Sequence, residues 1–77
     1  MTKLTANGIE ISLIKTISPY YNLYKKSIYY RLQIYLVRTN TVSLIYERDK
    51  ISSFEKASEF GEKAINVAEK KLKNDDN

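Results

Sequence analysis

From Ile28 to Val37 the chain alternates strictly. Ile28, Tyr30, Leu32, Ile34 and Leu36 fall on one side, and Tyr29, Arg31, Gln33, Tyr35 and Val37 on the other. A period of two marks a strand, because successive side chains of an extended backbone point to opposite faces. The residue types agree, since β-branched and aromatic side chains suit a pleated surface. The even set is entirely apolar or aromatic, and the odd set is mixed. One face therefore needs a core to cover it, and the other is left over.

Two further segments share this period. Ile9, Ile11, Leu13 and Ile17 alternate with Glu10, Ser12 and Thr16. Lys15 interrupts the inner row and Ile14 the outer one, so a bend or bulge is expected there. Pro19 has no N–H for a ladder and is expected to end the strand. Residues 18–26, with Tyr20, Tyr21 and Tyr24, read as a connection longer than the usual hairpin loop, either a wide loop or extended chain running beside the sheet. In the third strand Val42, Leu44 and Tyr46 are assigned to the buried face and Ser43, Ile45 and Glu47 to the open one. A two-residue loop at Thr39-Asn40 would set Leu36 opposite Ser43 and mix the faces. A loop of Arg38, Thr39 and Asn40 sets Leu36 opposite Val42, and this longer loop is expected, with Asn40 in the left-handed region.

After Ile51 the period changes. Phe54, Ala57, Gly61, Ala64, Ile65, Ala68 and Leu72 recur at helical spacing. Ser52 followed by Glu55 reads as a capping box. Gly61 costs about 1 kcal/mol in helix propensity, which points to a tight crossing. The sum is one α+β domain: a three-stranded antiparallel meander (β-β-β-α) over 9–51, packed on one C-terminal amphipathic helix over 52–73. Residues 1–8, polar and ending in Asn7-Gly8, are expected to be a flexible N-terminus, and residues 74–77 a disordered tail.

Seventy-seven residues leave room for one core. Such a chain is expected to have a stability of roughly 4–8 kcal/mol, for which oligomerisation is a common remedy. There is no cysteine and no histidine, which removes disulfide scaffolds, zinc fingers and histidine-dependent triads. Only Gly8 and Gly61 are glycines, so no phosphate loop exists. Glu47 and Asp49 flank Arg48 and Lys50 as a solvated run, not as a paired acid and base. No catalytic residue, cofactor or metal is expected. No apolar run reaches membrane-spanning length, and the start lacks signal-peptide features, so a cytoplasmic protein is expected. Lysine, asparagine, isoleucine and tyrosine have A/T-rich codons, which fits a low-GC source or a mobile element.

Charge is placed unevenly. Residues 1–51 carry +5, and no acid occurs between Ile11 and Tyr46, where all seven tyrosines lie. Two functional expectations follow. In the first, the open face around Tyr29, Arg31, Tyr35, Val37 and Ile45 binds a protein partner or a second copy, as in a small adaptor or inhibitor. Tyrosine and arginine are enriched in interface hot spots. In the alternative, Tyr24, Lys25, Lys26, Arg31 and Arg38 bind nucleic acid, cations meeting phosphates while rings stack on bases. A three-stranded sheet with a C-terminal helix is also the plan of DNA-binding modules that lay the sheet in the major groove, an analogy from architecture alone.

Overall fold

A computed structural model describes residues 2–6 and 8–75. Four antiparallel strands follow one another across a single open sheet: β1 (Thr2–Ala6), β2 (Ile9–Asn22), β3 (Ser27–Val37) and β4 (Val42–Ile51). One helix, α1 (Phe54–Asp75), closes the chain. This is the expected α+β meander, with one strand more than the sequence suggested. The segment expected to be a flexible N-terminus supplies that strand, pairing Thr2 with Leu13 through Ala6 with Ile9. Gly8, at φ 77°, gives the left-handed backbone that so tight a reversal requires.

β2 does not stop at Pro19. It continues to Asn22 and forms eleven residue pairs with β3, from Ser12↔Val37 to Asn22↔Ser27. Among the described residues β1 covers only Ile9–Leu13 of β2, so Pro19 lies on an edge where a residue lacking an N–H is tolerated. Of the two expectations for 18–26, extended chain beside the sheet holds for Ser18–Asn22, and the segment is the end of a long hairpin, not a wide loop. Leu23–Lys26 closes it, with Lys26 at φ 52° and the Lys25 N–H donating to Asn22 Oδ1 at 2.9 Å.

The other hairpin also departs from expectation. The Arg38 N–H donates to the Thr41 carbonyl at 2.9 Å, and Leu36 lies opposite Ser43, not Val42. Asn40 is not left-handed; among the described non-glycine residues only Lys26 and Lys50 have positive φ. The faces stay separate because β4 makes the correction itself. Ile34 pairs with Tyr46 and Tyr35 with Leu44, so Ile45 is an extra residue, a β-bulge. A second irregularity falls between Leu32↔Arg48 and Tyr30↔Ile51, at Lys50 with φ 57°. The first bulge turns Tyr46 toward the helix, and the second does the same for Ile51. Both bend an edge strand, which blunts its tendency to pair with other chains.

The helix begins one residue later than expected. Ser53, not Ser52, is the cap: its Oγ accepts the Lys56 N–H at 3.2 Å, and its carbonyl accepts the Ala57 N–H at 3.1 Å. Lys56 stands where the Glu of a capping box would be. Helix α1 extends to Asp75, past the expected start of the tail at 74; residues 76 and 77 lie outside the described residues. Its apolar stripe covers Ile11, Leu13, Leu32, Ile34 and Ile51, which with Ala57 form the buried core. The middle-strand phase is therefore as expected: Leu32 and Ile34 are fully buried and Arg31 is exposed.

At Gly61 the helix lies close against the sheet. A Cβ there would lie 2.5 Å from Lys15 Cδ and 3.2 Å from Leu32 Cδ1. Lys15 can swing aside, but Leu32 is held in the core. Gly61→Val is expected to lower stability by about 1–3 kcal/mol through overpacking, measured as a urea midpoint shift. Gly61→Ala is expected to cost less, because its better helix propensity offsets part of the crowding.

Candidate protein-interaction face

The sheet has one covered face and one open face. In an antiparallel pair, residues directly opposite each other share a face, so the open face can be read as rows across the strands. Ser12, Val37 and Val42 form the first row, and Ile14, Tyr35 and Leu44 the second. Thr16, Gln33 and Glu47 form the third. Ser18 and Arg31 share the next with Asp49, and Tyr20 with Tyr29 the last.

The first two rows make an apolar patch. Val42 is 67% exposed and Leu44 49% exposed. Ile14, Tyr35 and Val37 are half-buried beside them. The remaining rows make a polar ladder. Gln33 Nε2 donates to Glu47 at 2.7 Å, and the Tyr35 hydroxyl donates to Gln33 Oε1 at 3.2 Å. Farther along, the Tyr20 hydroxyl donates to Asp49 Oδ1 at 2.6 Å, while Arg31 Nη2 meets Asp49 Oδ2 at 3.1 Å. The Arg31 guanidinium also sits 5.3 Å from the Tyr20 ring centroid, and Tyr29 meets Tyr20 edge to face at 6.3 Å.

This cluster sets the ionisation of its members. The hydrogen bond from Tyr20, helped by the Lys50 N–H and Arg31, holds the Asp49 carboxyl below its ordinary value of 3.8. The same bond pushes the Tyr20 hydroxyl above its ordinary 10.0. A lowered carboxylate contributes stability that is present above its ordinary value and lost as pH falls through the lowered one. A raised phenol contributes stability that is present below its ordinary value and lost as pH rises through the raised one. Asp49→Asn is expected to flatten the acid limb of stability below the ordinary carboxylate value, seen in urea midpoints taken at neutral pH and in acid. The groups are solvent-exposed, so the effect is small.

Four of the five residues expected at the partner face are on the open side: Tyr29, Arg31, Tyr35 and Val37. Ile45 is not. The bulge removes it from the rows, and it lines a groove between β4 and α1 with Tyr46 and Phe60. Val42 and Leu44, expected in the core, take its place on the open face. Asp49 and Tyr20 also belong to this face; Asp49, expected as part of a solvated run, lies in β4 beside Arg31. The nucleic-acid set is dispersed. Tyr24, 97% exposed, Lys25 and Lys26 lie at the turn before β3, and Arg38 lies just past its far end. An eleven-residue strand separates them by roughly 33 Å, and Arg31 between them is already paired with Asp49.

Among the described residues no helix is long and apolar enough to cross a membrane, and no cluster of acidic side chains could hold a metal ion. No protein-family model matches the chain, nor does any curated protein or solved structure.

Proposed function

We propose that this chain is a non-catalytic interaction domain that binds a protein partner through its open sheet face, in the simplest case a second copy of itself. The observation that carries this reading is the exposure of Val42 and Leu44 in an apolar patch continuous with Val37, Tyr35 and Ile14 across three strands. Contiguous apolar surface on an uncovered sheet marks a contact site. Two such faces can stack about 10 Å apart with their side chains interdigitated. The Gln33–Glu47 and Arg31–Asp49 pairs then form a polar flank that fixes register more than it adds affinity.

The nucleic-acid alternative has less support. The Arg31 charge is engaged within the face, and the remaining cations lie at opposite ends of β3. Size-exclusion chromatography with light scattering, from micromolar to millimolar protein and at low and high salt, tests the reading. Association that rises with concentration and survives high salt supports an apolar sheet contact, whose strength does not depend on counterions. Association that appears only with a short DNA and collapses as salt rises supports the alternative instead.

A further inference from the structure

A second surface lies on the other side of the sheet. Beyond β4, the edge of the sheet and the flank of α1 enclose an open groove of about 580 Å³. Its floor is apolar: Ile34, Ile45, Tyr46, Phe60, Ala64 and Val67. Val67 is exposed although it lies beside the buried stripe. The groove exists because the first bulge of β4 turns Ile45 out of the ladder and the stripe next to it is built of small residues. Alanines at 64 and 68 leave room that larger side chains would fill.

Its rim is charged with one sign only. Arg48, Lys63 and Lys71 line it, and no acid does. Among the described residues none of the three makes an ion pair. The Arg48 guanidinium lies 3.8 Å from the Phe60 ring centroid, a contact that holds it over the groove and leaves its in-plane donors available. Lys63 and Lys71 are eight residues apart on α1, about 12 Å along its axis. The helix residues that line the groove, from Phe60 to Lys71, span about three turns.

We propose that this groove receives an amphipathic helix of a partner protein whose apolar stripe is flanked by acids. The apolar floor suits residues at i, i+3/i+4 and i+7, the usual helix-in-groove mode. The rim selects acidic flanks. It also disfavours a second copy of this chain in the same place, because a two-fold pairing of the α1 flanks about Val67 would set Lys63 against its twin's Lys71. The groove and the open sheet face are on opposite sides of the sheet, so the domain could engage two partners at once.

The probe is a labelled helical peptide of about three turns with leucines on one face and glutamates on the flanks, set against the same peptide with lysines for glutamates. Binding is read by fluorescence anisotropy on the intact chain. The acidic peptide is expected to bind and the basic one not. Val67→Asp is expected to abolish binding, and the pair Lys63→Glu with Lys71→Glu to weaken it about tenfold. Leu44→Asp, on the opposite face, is expected to leave it unchanged. Circular dichroism of each variant separates loss of binding from loss of fold. Equal binding of both peptides, binding of neither, or loss of binding in Leu44→Asp would each overturn the proposal. So would self-association that Val67→Asp removes and Leu44→Asp does not, since the groove would then take a second copy.

Discussion

Leu32→Ala is expected to remove about 2–5 kcal/mol of stability. Leu32 is fully buried at the centre of β3, between Ile17 and Arg48 on the neighbouring strands. Beside it lies Gly61, where an added Cβ would come within 3.2 Å of Leu32 Cδ1. Truncation there loses the transfer free energy of the side chain and leaves a cavity. The helix cannot settle into that cavity, since its neighbouring turns rest on other core residues. A domain of this length has a stability of only roughly 4–8 kcal/mol, so the loss is a large share of it. Leu44→Ala provides the comparison within the same sheet. Leu44 is half exposed on the open face, and its truncation is expected to cost less than about 1 kcal/mol. Chemical denaturation of the two variants reads the difference directly.

Leu44→Asp is expected to weaken association through the open face by about thirtyfold or more, the scale of a hot-spot residue worth about 2 kcal/mol. Leu44 stands in the middle of the apolar rows, opposite Tyr35 and next to the Val37–Val42 pair. A carboxylate there must be desolvated without a partner when the face is covered. Leu44→Thr keeps β propensity and removes most of the apolar contact, and it is expected to fall between parent and Leu44→Asp. Both variants should unfold near the parent midpoint, because the side chain supports no core residue. A light-scattering series across concentration gives the dissociation constants. Arg31→Glu is expected to act mainly on the fold, by placing a second carboxylate beside Asp49.

Much of this was written in the sequence, and the parts that were not have physical causes. The phase of β3 was legible because ten residues alternate without a break and one set is wholly apolar or aromatic. Helix α1 was legible from its stripe, and Gly61 from the cost of keeping glycine inside a helix. β1 was missed because its five residues are too few to show a period. Its signal was Asn7-Gly8, a hairpin turn with strand needed on both sides. Pro19 misled because a proline rule for paired strands was applied to an edge. The assignments of Ile45, Val42 and Leu44 failed together for one reason. A bulge inserts a residue that alternation cannot count, and its only trace is the unbroken apolar run Leu44-Ile45-Tyr46. The cap moved by one because Ser52 and Ser53 are both competent, and the pairing of Ile51 with Tyr30 holds the chain in the sheet one residue longer.

Thiol labelling of single-cysteine variants tests the interface most directly, since the chain has no cysteine of its own. Leu44→Cys and Val42→Cys should react rapidly in dilute solution and be protected when the domain associates, while Asn40→Cys, at the hairpin tip, reacts rapidly throughout. Equal reactivity of Leu44→Cys in the free and associated states would show that contact is made elsewhere.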